Sequence, residues 1–280
     1  MKTGLVLEGG GMRGIYTVGA LDVFLDEGIS FDYIIGVSAG AGNAVSYISK
    51  QRGRGYRCDM DYIHDERYMG RKPIREEKSV FGLHFIYDIL PTELEPLDFD
   101  AFYADSAQFI TVATDAATGK AVYFGKEHLK NKDTTVLKAS ASLPIFSPPI
   151  SYQGKLYFDG GVADSIPVRR AVEDGCDRLV IILTKPRGYR KKSLAFPHLN
   201  ATLLKDYPKV VEAMEARYKV YNDSLDYAYA LEEAGKAVII APEYALSVDK
   251  FTSDSEKLEH CYLEGMRDTR KQIDAIKSLL

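Results

Sequence analysis

The chain has 280 residues, of which 46% are hydrophobic, enough to fill the core of one large α/β domain or two small ones. Its 36 basic and 40 acidic residues are scattered and sum to −4, so no basic field marks a nucleic-acid binder or a protein held permanently on an anionic membrane. Cys58, Cys176 and Cys261 are odd in number, far apart and without C-x-x-C spacing, which argues against a disulfide framework or a structural zinc site and fits a reducing cytoplasm.

In chain order, Thr3 to Leu7 is a short apolar run that meets the glycines of EGGGMRG, and Ile15, Val18, Leu21 and Leu25 then recur at helical spacing until Gly28. The early glycines leave no apolar run long enough for a leader or a membrane span, so the expectation is a soluble, unprocessed cytoplasmic protein. Phe31 to Val37 reads as a second buried strand, and AGAGNAVSYISK after Ser38 as a helix. The segment 51–97 has no clean periodicity and predicts helical or irregular insertions. QFITVATDAATGKAVYF predicts two strands joined around Ala117 to Lys120, and SYQGKLYFDGG a hairpin turning at Gln153 and Gly154. Arg178 to Thr184 is a further buried strand, followed by the basic loop KPRGYRKKS. A long helical stretch from about Asn200 to Ala234, a late strand AVIIAPE and an amphipathic helix from Asp254 to Leu280 complete the chain. Strands alternating with helices predict a mostly parallel central sheet covered by helices on both faces, a three-layer α/β sandwich.

Three motifs carry chemistry. Gly9, Gly11 and Gly14 satisfy G-x-G-x-x-G between a strand and a helix, which is a dinucleotide fingerprint. That reading needs an acidic residue at the end of the second strand, and Asp32 stands at its start. The far end of that strand instead carries Gly36-Val37-Ser38-Ala39-Gly40, a G-x-S-x-G in the strand-turn-helix context of a nucleophile elbow. A nucleophilic serine needs donors for a developing oxyanion, and the bare amides of Gly10 and Gly11 can form such a nest at a helix N-terminus. It also needs a base. Asp159, flanked by Gly160 and Gly161 after the strand KLYF, is the candidate, with an ordinary Asp-Gly turn as the plainer alternative.

Taken together, GGGMRG at 9–14, GVSAG at 36–40, DGG at 159–161 and the Ala/Ser-rich, Pro-containing segment from Ala139 to Ile150 resemble the patatin-like phospholipase family, in the family's order and over roughly residues 3–185. The resemblance implies a Ser-Asp dyad with Ser38 as nucleophile, Asp159 as general base and the Gly10 and Gly11 amides as oxyanion hole. By analogy with the related cytosolic phospholipases it assigns phosphate recognition to Arg13. It implies no metal or organic cofactor and a lipid or phospholipid ester as substrate; the balanced charge argues against nucleic acid as a partner, and the absence of an evident anchor leaves at most transient membrane-surface contact.

Bland readings stand beside these. Arg13 can equally pair with Glu8 or Asp22. His198 and His260, the two histidines that follow Asp159, are read as surface or core residues rather than as the third member of a triad. Tyr218, Tyr221, Tyr227 and Tyr229 share a helical register that fits a core better than a lipid groove. The run Arg187 to Lys192 reads as a solvated loop, with anionic headgroups as the alternative. The domain expectation is a catalytic core over 1–190 and a mainly helical extension over 191–280, which either packs on the sheet or covers the site as a lid. The leading function is acyl-ester hydrolysis through an acyl-Ser38 intermediate. The alternatives are a catalytically weak scaffold with a binding or regulatory role, and a dinucleotide-binding protein.

Overall fold

The structure, a computed structural model, describes residues 1–195 and 197–280. Eight strands form one sheet: β1 (Thr3–Leu7), β2 (Tyr33–Val37), β3 (Gln108–Asp115), β4 (Ala121–Gly125), β5 (Ile150–Tyr152), β6 (Lys155–Asp159), β7 (Arg178–Ile182) and β8 (Ala237–Ile240). The spatial order is β5-β6-β3-β2-β1-β7-β8, with β4 paired to β3. The central pairs β3-β2, β2-β1, β1-β7 and β7-β8 are parallel, and the hairpins at one side are antiparallel.

The continuous apolar character of these strands has a simple cause: both faces are covered. Leu5, Leu7, Ile34, Val180 and Ile182 face a core shared with α1 (Gly14–Asp26), α2 (Ala39–Ile48) and the final helix, while Val6, Ile35, Val37, Leu179 and Ile181 face a second core. Between α2 and β3 lie α3 (Arg54–Met60), α4 (Arg71–Glu77), a π-helical segment Phe85–Leu94 that contains Pro91, and α5 (Phe99–Ala104). The remaining helices are α6 (Thr135–Ala141), α7 (Val168–Glu173), α8 (Pro197–Leu203), α9 (Pro208–Glu233) and α10 (Ser255–Leu279). The stretch read as one helix from Asn200 to Ala234 is thus two. Pro208 cannot donate to a preceding turn and pushes Tyr207 out of helical backbone, to φ −130° and ψ 58°, so α9 starts afresh with proline in its first turn.

The segment beyond residue 190 is built into this sheet. β8 pairs with β7, α9 packs on the second core, and α10 lies along α1 with Leu258, Cys261, Tyr262, Met266 and Ile276 buried. Asp254 caps α10 by accepting the Lys257 amide at 3.2 Å. All three cysteines are free thiols. Among the described residues, no helix is long and apolar enough to cross a membrane.

One register matters more than the rest. β3 pairs with β2 only as far as Val112, opposite Val37, and its next residue, Ala113, pairs with Asp159 of β6. Consecutive residues of β3 therefore hold the strand end that precedes Ser38 and the aspartate at the end of the hairpin.

Candidate active site

Ser38 has φ 55° and ψ −126°, a backbone conformation that L-residues avoid and that costs about 1–3 kcal/mol unless the surroundings impose it. They do. The Ser38 amide donates to the buried Ser140 Oγ at 2.8 Å, and that hydroxyl donates to the Val112 carbonyl at 2.6 Å, so the elbow is tied to α6 and to β3. The glycine loop lies against it: a Cβ on Gly9 would sit 2.9 Å from the Val37 carbonyl oxygen and 3.0 Å from the Ser38 Cβ, so a side chain there would push the two loops apart.

Gly11 has φ 57°, and a Cβ there would meet the Lys250 carbonyl oxygen at 2.7 Å, the same oxygen that accepts the Met12 amide at 3.3 Å. The loop carrying Lys250 therefore seats on the glycine motif. Among the described residues, the Gly10 and Gly11 amides donate to no other group, and both residues line the cleft that holds Ser38.

Asp159 is 2% exposed. Its Oδ1 accepts the Gly161 amide at 2.7 Å, while Oδ2 is buried with no hydrogen-bond partner. Burial raises its pKa; the neighbouring Ser38 hydroxyl and the Arg217 guanidinium pull the other way. An unpartnered Oδ2 beside a serine hydroxyl can accept a proton from it. Asp32 lies at the opposite end of β1, accepting the Thr3 amide at 2.8 Å, where it cannot meet a ligand on the glycines. His198 and His260 are exposed, and no histidine lines either cavity at Ser38.

Two cavities meet at Gly11, Ser38 and Leu143. The first, about 980 Å³ including the open space at its mouth, is lined mainly by apolar side chains such as Met12, Phe81, Leu83, Ile86, Leu90, Leu97, Leu137 and Ala141. The carboxyl of Asp59, which also lines it, is pushed up to about 6 by burial, an effect its hydrogen bond with the Tyr68 hydroxyl only partly offsets.

The second, about 500 Å³, is lined by Glu8, Arg13, Asp159, Ser165, Lys185, Tyr189, Lys191, Arg217, Tyr221 and Lys250 besides the glycines. Its five cations face two carboxylates. Glu8 is already saturated by the Thr184 amide at 2.6 Å, the Thr184 hydroxyl at 3.1 Å and the Tyr221 hydroxyl at 2.8 Å.

Several expectations change here. Arg13 pairs with neither Glu8 nor Asp22: Glu8 is committed as above, and Asp22 accepts the Gly53 amide and the Tyr262 hydroxyl, which leaves the buried Arg13 Nε without a partner. The basic loop is only partly solvated. Arg187 and Arg190 pair outward with Glu232 and Asp226, whereas Lys191 turns inward to the cavity. Of the four tyrosines, Tyr221 is core and cavity wall at once. Ser140, Arg217 and Lys250 were not singled out from sequence. Ser140 lay in a recognised segment, but Arg217 stands on an ordinary amphipathic helix and Lys250 in a loop, and neither has a local signature.

A family model described as patatin-like phospholipase matches residues 5–172, more than half of the chain. The chain belongs to that family. A second model, a domain of unknown function, matches residues 207–280. The uncharacterized protein YjjU of Escherichia coli is 30% identical to this patatin-like chain over 190 residues, 66% of this chain and 52% of its own length, so the match spans about half of that relative. A probable lipid hydrolase, 463L of Invertebrate iridescent virus 6, is 24% identical over 73% of this chain and 78% of its own. The mouse 1-acylglycerol-3-phosphate O-acyltransferase Pnpla3 is 26% identical over 93% of this chain and 68% of its own. The crystal structure of VipD from Legionella pneumophila superposes with a TM-score of 0.54 at 16% identity, covering 98% of this chain and 67% of that one, a likeness of fold.

Proposed function

We propose that this patatin-like protein hydrolyses acyl esters of lipids with Ser38 as nucleophile and Asp159 as its base. The observation that carries the reading is the register of β3, where Val112 and Ala113 hold the strand end before Ser38 and Asp159 side by side. Asp159 Oδ2 takes the hydroxyl proton as Ser38 Oγ attacks the ester carbonyl, and the Gly10 and Gly11 amides receive the developing oxyanion. The tetrahedral adduct collapses, the C–O bond to the alcohol breaks, and the alcohol leaves with the proton from Asp159. A water, deprotonated by the same carboxylate, then releases the acid and restores Ser38.

The raised pKa of Asp159 supports this, since a carboxylate at its ordinary pKa is a weak base for a serine hydroxyl. The apolar cavity supplies an acyl site. The printed names of the viral and mouse relatives, a lipid hydrolase and a lipid acyltransferase, support lipid acyl chemistry. We assign the catalytic core to residues 1–190 and read 191–280 as an extension that walls the second cavity. A cytoplasmic location with transient membrane contact is part of the same reading, supported by three free thiols.

The test is mass spectrometry after fluorophosphonate treatment. The expected result is one adduct on Ser38, absent in Ser38→Ala and slowed roughly 10²–10⁴-fold in Asp159→Asn. A folded wild-type protein that forms no adduct sinks the reading and favours a binding scaffold.

A further inference from the structure

The second cavity holds more cationic charge than a neutral ester alone requires. Arg13, Lys185, Lys191, Arg217 and Lys250 converge on it, and among the described residues none is paired with a carboxylate. Arg217 donates only to the Ser165 hydroxyl, at 3.2 Å, and Arg13 Nε is buried with no acceptor. Uncompensated charge in a partly buried site is costly, and it is retained where a ligand of opposite sign offsets it. Burial and neighbouring cations push Lys191 down to about 7 and Lys250 down to about 8, and an anion that enters favours the charged form of both.

Position and shape narrow the anion. The cavity shares Gly11, Ser38 and Leu143 with the apolar one, so a lipid whose ester carbonyl sits at Ser38 sends its acyl chain one way and its headgroup the other. Among the described residues, the headgroup side leaves little for a quaternary ammonium, since Asp159 is given to Ser38 in the reading above. The face of Tyr189 is covered by Lys185 at 5.2 Å and that of Tyr221 by Lys191 at 4.9 Å, and Glu8 is spent. A phosphodiester of a neutral alcohol would supply one negative charge, a phosphate monoester up to two.

We infer that Lys191, Arg217 and Lys250 of the extension, together with Lys185, form a subsite for a phosphate monoester, and that the lipid turned over is one whose headgroup ends in phosphate. The substrate assignment rests on the hydrolase reading above. The ligand chemistry itself does not, because a phosphate subsite can be measured without turnover.

The experiment uses the full chain in two arms. Wild type is assayed on 1-oleoyl lysophosphatidic acid, 1-oleoyl lysophosphatidylcholine and 1-oleoylglycerol, and calorimetry on Ser38→Ala follows binding of lysophosphatidic acid and of inorganic phosphate. The expected results are a preference of at least ten-fold in kcat/KM for the phosphate-ended lipid and tighter binding of that lipid than of inorganic phosphate. Lys191→Gln lowers both about ten-fold, as loss of one charge-assisted contact should, and Lys191→Arg restores most of the loss, which a merely structural defect would not allow. A wild type labelled at Ser38 that shows no preference overturns the inference and leaves the hydrolase reading standing. Inorganic phosphate binding as tightly as the lipid assigns the site to free phosphate and overturns the headgroup claim. Absence of labelling with phosphate-ended lipid still bound removes the hydrolase reading alone.

Discussion

The two cavities that meet at Ser38 differ in origin as well as in polarity. Every described residue lining the apolar one lies at or before Leu143, inside the stretch that matches the patatin-like family, whereas the cationic one takes Lys185, Tyr189, Lys191, Arg217, Tyr221 and Lys250 from beyond it. Arg217, Tyr221 and Lys250 fall within the matched domain of unknown function. On the proposed reading, the acyl side and the serine chemistry belong to the stretch that matches the family, and the headgroup side lies largely beyond it. A change of extension on the same core would alter which lipid is accepted without touching the nucleophile.

The comparison can be sharpened by filling one cavity and sparing the other. Ala141, half-buried at the end of α6, lines only the apolar cavity. Ala141→Phe should cut kcat/KM on long-chain esters roughly 10- to 100-fold relative to short-chain ones, at the scale of one to a few methylenes lost from a hydrophobic pocket. Phosphate binding by the same protein should stay at the wild-type level. Equal losses on short and long chains, or loss of phosphate binding, would mean that the cavities are not independent.

A smaller effect belongs to the wall between them. Ser140→Ala removes the acceptor of the Ser38 amide and leaves that donor, and the Val112 carbonyl, to find water in a buried site. The elbow should relax, with fluorophosphonate labelling slowed about ten-fold at a stability cost of about 1–3 kcal/mol. Ser140→Thr keeps the hydroxyl and should recover most of the rate. Labelling by Ser140→Ala at the wild-type rate would show that the glycines alone hold the strained backbone of Ser38.

How much of this could be read in the sequence follows the same division. The strands and the two glycine-flanked turns are local patterns, so β1, β2, β6 and the positions of Ser38 and Asp159 at strand ends were legible. That these ends are neighbours was not, because it depends on β3 exchanging β2 for β6 between Val112 and Ala113, a long-range register. The cationic cavity was still less legible. Lys191 sat in a visible basic run whose other arginines turn outward to Glu232 and Asp226, and nothing local distinguishes the one that turns in. For Arg13 the sequence left phosphate recognition and a carboxylate pair equally open, and only the fold shows that Thr184 and Tyr221, far away in sequence, have taken Glu8.

The mildest test uses the sign of two pKa shifts. Lys191 faces Arg217, Lys250, Arg13 and Glu8, and Lys250 faces Arg217, Asp159, Arg13 and Lys185. With folded pKa values of about 7 and about 8 against roughly 10.4 in an unfolded chain, both lysines bind fewer protons folded than unfolded between pH 7 and 10. Their contribution to stability therefore rises with pH across that window. Asp159 works in the opposite sense: its raised pKa means that stability falls as pH climbs from its ordinary value through the folded one. A phosphate ligand reverses the lysine effect, since it binds best when both are charged. Saturating phosphate should thus raise the melting temperature of Ser38→Ala by several degrees at pH 7 and by clearly less at pH 9, although the phosphate itself is more fully ionised at the higher pH. An equal rise at both values would take Lys191 and Lys250 out of the subsite.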